Sequence, residues 1–305
     1  MKIAFLYAGQ GSQYVGMGQE LYDDHAVVRE RVDQASDILG YDVKDILFHD
    51  EDKLNDTRYT QPLMFVLYAA ITDLLRLNGI ESTHTCGLSL GEYGALYDAG
   101  CITFEQGLRL LEQRGAHMAA ASEHVEGAMT AILGGDAQML EQLVANAPGY
   151  VTIANYNTYG QLVISGEQTA VNYVAESALE QGGKRAIPLN TSGPFHSALM
   201  NEAALAFAGD LERTAFQAAN KHLLVNVTGD YLAGDLAMIL TEQITHSVRF
   251  YQMIERLLED GVDTFVEIGP KRVLGGFIKK INRTVTILNV EDRASLETTR
   301  TTIGG

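Results

Sequence analysis

The chain has 305 residues, 46% of them hydrophobic and 20% charged, enough for one large globular domain or a domain with an insertion. A formal net charge of −17 repels phosphate backbones and argues against nucleic acid as a partner. No apolar run approaches the roughly 18 residues of a membrane span, and two cysteines, Cys86 and Cys101, are too few for a disulfide framework.

The elements alternate from the start. Lys2 to Ala8 reads as a buried first strand ending at Gly9, with neither the apolar core nor the cleavage site of a signal peptide. The expected location is therefore cytoplasmic, and the N-x-S/T sequons at Asn190, Asn226 and Asn282 are read as chance. Gln19 to Leu39 has helical spacing and stops at Gly40. Gln61 to Asn78 is a strongly apolar helix, with Pro62 suited to its first turn and Gly79 just past its end. His84 to Gly87 is a short strand, Leu90 to Ala99 a helix, and Glu105 to Ala121 another. This alternation predicts an α/β layer structure with a parallel sheet.

The rhythm then changes. Met129 to Leu133, Tyr150 to Ala154, Gln161 to Ser165 and Arg185 to Leu189 read as strands, with helices at Asp136 to Ala147 and Thr169 to Gln181. The order β-α-β-β-α-β is the ferredoxin-like unit. It is placed at residues 125–193, inserted into a larger discontinuous domain of residues 1–124 and 194–305. Beyond it, Phe195 to Ala219 reads as helix, Leu223 to Val227 as strand and Val248 to Glu259 as an amphipathic helix. Thr264 to Ile268 is a strand, Val273 to Ile281 a helix and Val285 to Leu288 a last strand; the polar residues 291–305 predict poor order.

Gly87-Leu88-Ser89-Leu90-Gly91 is a G-x-S-x-G between a predicted strand and a predicted helix. Such a turn holds its central residue strained and projecting, and the helix start adds positive potential. Ser89 reads as a nucleophile on that context; as a bare serine it would equally serve as a helix cap. A G-x-G-x-x-G fails because position 14 is Tyr, and the absence of H-E-x-x-H or paired-cysteine spacing gives no reason to expect a metal.

Further motifs occur in order: Gly9-Gln10-Gly11-Ser12-Gln13, Tyr59-Thr60-Gln61-Pro62, Gln113-Arg114-Gly115, Ala154-Asn155-Tyr156-Asn157, Gly193-Pro194-Phe195-His196-Ser197, Asn226-Val227-Thr228-Gly229 and Glu267-Ile268-Gly269-Pro270. With the serine motif and its Glu92-Tyr93 extension, they resemble the malonyl-CoA:acyl-carrier-protein transacylase family, from Lys2 to about Asn289. The resemblance implies a hydrolase-like α/β domain carrying the ferredoxin-like insert. It implies Ser89 as nucleophile, His196 as general base, the backbone N–H groups of Gln10 and Leu90 as oxyanion hole, and the carbonyl of Gln243 as the group orienting His196. Leu88 departs from the histidine common before the serine in this family.

The same resemblance gives Arg114 as the partner of a malonyl carboxylate, for which a planar guanidinium is suited; helical spacing alone would make it a surface ion pair. Phe195 stands where related domains select malonyl over methylmalonyl, with core packing as the alternative. Gln10, Gln61, Asn157 and Gln161 look like polar lining of the acyl pocket, or turn and cap residues. The implied reaction is ping-pong transfer from malonyl-CoA, a substrate and not a cofactor, to an acyl carrier protein. No resident cofactor is expected. A serine esterase or acyl-thioester hydrolase with the same dyad, and a non-catalytic carrier-docking protein, are the competing readings. Lys271, Arg272, Lys279, Lys280 and Arg283, or Lys184 and Arg185, are candidate contacts for an acidic carrier.

Overall fold

The computed structural model describes residues 1–304. In chain order the first elements are β1 (Ile3–Tyr7), α1 (Gln19–Asp24), α2 (Ala26–Leu39), α3 (Val43–His49), α4 (Glu51–Asn55) and α5 (Thr57–Leu77). Next come β2 (His84–Gly87), α6 (Glu92–Asp98), α7 (Phe104–Ser122), β3 (Gly127–Leu133), α8 (Ala137–Ala145), β4 (Val151–Thr158), β5 (Gln161–Glu167), α9 (Gln168–Glu180) and β6 (Arg185–Pro188). The chain finishes with α10 (Asn201–Glu212), β7 (His222–Val225), β8 (Asp230–Tyr231), α11 (Leu236–Gln243), α12 (Phe250–Glu259), β9 (Thr264–Ile268), α13 (Val273–Ile281), β10 (Thr286–Val290) and α14 (Arg293–Gly304).

The larger sheet has the order β10-β9-β1-β2-β7-β8 and is parallel except for β8. Every residue of β1 is buried, since a central parallel strand is covered on both faces. Its alternation divides the interior: Ile3, Phe5 and Tyr7 enter one apolar core, Ala4 and Leu6 the other. The long α5, buried nearly all round, fills the first of these cores beside α7.

The smaller sheet has the order β4-β5-β3-β6, antiparallel throughout, with α8 and α9 packed over a core of its own. That order with β-α-β-β-α-β succession is the ferredoxin-like arrangement, so the expected fold class is met by a parallel sheet carrying an antiparallel insert. The two parts are stitched together where Val248 bridges Asn155 in parallel: Val248 N–H donates to Ala154 O at 2.8 Å and Tyr156 N–H to Val248 O at 2.9 Å.

Several local expectations are corrected. Gln19 to Leu39 is two helices, because His25 is extended (φ −122°, ψ 122°) between them. The helix expected over Gln61 to Asn78, α5, begins at Thr57, where Asp56 caps it by accepting from Arg58 N–H, so Pro62 lies in the second turn and not the first. Two short helices, α3 and α4, each capped by an aspartate, precede it unforeseen. Phe195 to Ala219 is helical only from Ala198 to Glu212, since His196 has φ 57° and donates its N–H to Ile244 O. Residues 293–304 are helix and not disordered: Asp292 accepts from Ser295 N–H at 2.8 Å, and Leu296 is buried.

Candidate active site

The loops after β1, β2 and β7 meet at the carboxyl edge of the parallel sheet, where open α/β sheets bind ligands. Between β2 and α6 the chain makes a 3₁₀ turn, Ser89–Gly91, and Ser89 has φ 53°. A left-handed serine costs about 1–3 kcal/mol, which the surroundings must hold in place. The flanking glycines permit the turn: a Cβ on Gly87 would lie 2.0 Å from the Gly91 carbonyl carbon, and one on Gly91 2.0 Å from Tyr7 O. Asn226, just past β7, clamps it. Its Oδ1 accepts Ser89 N–H at 2.7 Å and its Nδ2 donates to Gly87 O at 2.7 Å.

His196, 107 positions away in sequence, brings Nε2 to 2.7 Å from Ser89 Oγ. The imidazole is oriented from behind: Nδ1–H donates to the carbonyls of Gln243 at 2.8 Å and His246 at 3.2 Å. With the proton on Nδ1, the Nε2 lone pair is free to accept from the serine hydroxyl. Burial pushes His196 down to about 4, helped by the nearby Arg114 charge and opposed by the two carbonyls. The base is therefore neutral, ready to take a proton, throughout the physiological range.

Arg114, in the third turn of α7, is fully buried. It donates from Nη1 to Gln61 Oε1 at 2.8 Å and from Nη2 to Gln243 Oε1 at 2.9 Å, while its Nε has no partner. Among the described residues it forms no salt bridge: its hydrogen-bond partners are amide oxygens, and the Glu92 carboxylate acts on it without a direct hydrogen bond. Gln243 thus joins the two functional groups, holding His196 through its main chain and Arg114 through its side chain. Its amide Nε2 donates to Ser89 O at 2.9 Å and to Glu92 Oε2 at 2.5 Å.

A cavity of about 470 Å³ opens over the pair, lined by Gln10, Leu88, Ser89, Asn157, Gln161, Phe195 and His196 together with Phe277 of α13 and Val163 of the small sheet. Arg114 and Gln61 lie behind this lining, as does Leu90. Gln10 is fixed by donating from Nε2 to Thr57 Oγ1 at 2.9 Å, and Gln161 accepts from Lys280 Nζ at 2.9 Å. Asn157 keeps its buried Oδ1 without a partner. Among the described residues, the backbone N–H groups of Gln10 and Leu90 have no acceptor, which leaves two donors beside the serine. Leu88 contributes an apolar wall. Burial pushes the Cys86 thiol up, consistent with a packing residue.

Glu92 and Asn226 went unassigned in the sequence, although both stand inside motifs quoted above. The only available signal was position: an acidic residue three past the serine, and an asparagine just past a strand ending at the same sheet edge.

A strained serine hydroxyl against a neutral imidazole, at the carboxyl edge of a parallel sheet, defines the class of α/β enzymes that take an acyl group onto serine. Comparison with known proteins narrows the class: the model of the acyl transferase domain family matches residues 4–299, and the chain belongs to that family. The malonyl CoA-acyl carrier protein transacylase of Bacillus subtilis is 40% identical, covering 97% of this chain and 95% of that protein. Among solved structures, MCAT from Streptococcus pneumoniae has a TM-score of 0.96 at 43% identity, covering 99% of this chain and 100% of that one. A malonyl-transacylase in complex with its type II PKS acyl-carrier protein has a TM-score of 0.96 at 36% identity, covering 99% of this chain and all of that one.

Proposed function

We propose that this protein transfers a malonyl group from malonyl-CoA to the phosphopantetheine thiol of an acyl carrier protein, through a malonyl ester on Ser89. The observation that carries the reading is the 2.7 Å contact of Ser89 Oγ with His196 Nε2, beside a buried guanidinium that lacks a carboxylate partner. His196 takes the hydroxyl proton as Ser89 Oγ attacks the thioester carbonyl. The N–H groups of Gln10 and Leu90 receive the tetrahedral oxyanion. Its collapse breaks the C–S bond, and the coenzyme A sulfur leaves with the proton from His196. In the second half the carrier thiol gives its proton to His196, attacks the ester, and Ser89 recovers the proton as it departs.

Arg114 serves the free carboxylate of the malonyl group, with Gln61 and Gln243 holding its guanidinium in plane. Pairing also acts on the base. Arg114 is one of the influences that lower His196, so neutralising its charge makes the imidazole more basic once malonyl is bound. Asn157 and Gln161 supply polar contacts in the pocket, and Phe195 limits its width. The sequence needs no resident cofactor, because every proton and acyl transfer runs between Ser89, His196 and the two thiols.

No described helix is long and apolar enough to cross a membrane. The reading places the enzyme in the cytoplasm, in agreement with two buried unpaired cysteines. The hydrolytic alternative is not favoured, since the relatives named above are transacylases. Intact-mass analysis after mixing with malonyl-CoA tests the proposal. Wild type should gain one malonyl group that persists without carrier, and Ser89→Ala none; an adduct on the alanine variant, or rapid loss of the ester to water, would overturn it.

A further inference from the structure

We propose that Glu92 is a positioning residue whose buried carboxylate ties the turn carrying Ser89 to the glutamine that holds both His196 and Arg114. The inference rests on the acyl-transfer reading of the site but concerns a residue that does not touch the substrate. Glu92 is wholly buried at the start of α6. Its Oε1 accepts the N–H of Asn226 at 3.1 Å, and its Oε2 accepts from Gln243 Nε2 at 2.5 Å. Asn226 in turn spans the turn from Ser89 N–H to Gly87 O. Gln243 holds Ser89 O, His196 Nδ1 and Arg114 Nη2. One carboxylate therefore sits between the element that strains the nucleophile and the element that aims the base.

The chemistry of the tie demands a carboxylate. Both groups facing Glu92 are N–H donors, so only a side chain with two acceptor atoms satisfies both. An amide would turn its NH₂ toward one of them, and a protonated carboxyl its hydroxyl. A buried donor left unmatched is costly enough to move its neighbours. The groups around Glu92 are Arg114 from α7, Cys86 from β2, Tyr93 on its own helix, and the neutral Gln243 and Asn226. Arg114 favours the ionised form, as do the two hydrogen bonds, yet burial outweighs them and pushes Glu92 up to about 7. His196, by contrast, is held at about 4. Between those values His196 is already neutral, and within the hydrogen-bond network that joins Ser89, Asn226, Gln243 and Arg114 the group that changes charge is Glu92.

The experiment follows Ser89 by two reactions, acylation by malonyl-CoA and sulfonylation by phenylmethanesulfonyl fluoride, from pH 5 to 8. Wild type should lose rate in both as pH falls through about 7. Glu92→Gln should be slower by roughly 100-fold at pH 8, the cost of misplacing reacting groups by about 1 Å, and its remaining rate should not fall between pH 8 and 5. A wild-type rate in this variant, or a slow variant that keeps the fall near pH 7, overturns the proposal. If Glu92→Gln does not fold, a wild-type sulfonylation rate that stays flat down to pH 5 overturns it alone. Sulfonylation of Ser89 with no malonyl adduct would sink the malonyl reading and leave the tie intact.

Discussion

Arg114 directs its terminal nitrogens at two neutral amide oxygens and leaves Nε bare, and on the proposed reading its buried charge meets the malonyl carboxylate. A charged hydrogen bond of this kind contributes about 1.5–3 kcal/mol. Arg114→Ala should thus cut malonyl transfer by roughly 10–150-fold while leaving acetyl transfer from acetyl-CoA unchanged or faster. Parallel assays with the two donors check it, and equal losses would remove Arg114 from the selective role. At this scale the sequence, through its family resemblance, pointed to Ser89, His196, Arg114 and the Gln243 carbonyl, which the structure brings together, but not to Asn226 and Glu92. Ser89 stood out because a strand, two glycines and a helix surround it. Asn226 and Glu92 did not, because their work consists of contacts across 134 and 137 positions that no local pattern records.

At the scale of elements, α13 forms one wall of the cavity through Val273, Leu274 and Phe277. Its first turn is anchored by Glu267 of β9, whose carboxylate accepts Leu274 N–H at 2.9 Å and Gly275 N–H at 2.8 Å. Removing both acceptors leaves buried donors at a helix start, so Glu267→Ala should lose about 1–3 kcal/mol in urea unfolding. Burial raises Glu267 from 4.5 to about 7, so across that window the folded protein binds more protons than the unfolded chain. Its contribution to stability therefore falls as pH rises, and the gap between wild type and variant should narrow from pH 4.5 toward 7. A gap that widens over this range would contradict the assignment. Most elements were legible from periodicity and glycine stops. Those misjudged were decided by tertiary contacts: the stretch after Phe195 has helical composition, but His196 N–H is claimed by Ile244 and its backbone turns left-handed.

Over the whole molecule the charge of −17 is unevenly spread, with Lys271, Arg272, Lys279, Lys280 and Arg283 exposed around α13 beside the cavity. An acidic carrier would be drawn to this rim against the net repulsion. Reversing Arg272 and Lys279 to glutamate should raise the carrier KM roughly 3–10-fold and weaken its salt dependence. Malonyl loading from coenzyme A should be unaffected, and an unchanged carrier KM would move docking elsewhere. The α/β layout and its ferredoxin-like insert were visible in the order of strands and helices, whereas the way they join was not. That joint has a mechanical consequence. Val248, gripped by Ala154 and Tyr156, lies two residues beyond His246 and five beyond Gln243, the carbonyls on which the imidazole leans. The insert is thus a splint and not a free flap: any motion that widened the cleft by sliding it would drag the base off its serine, so an open cleft is also an idle one.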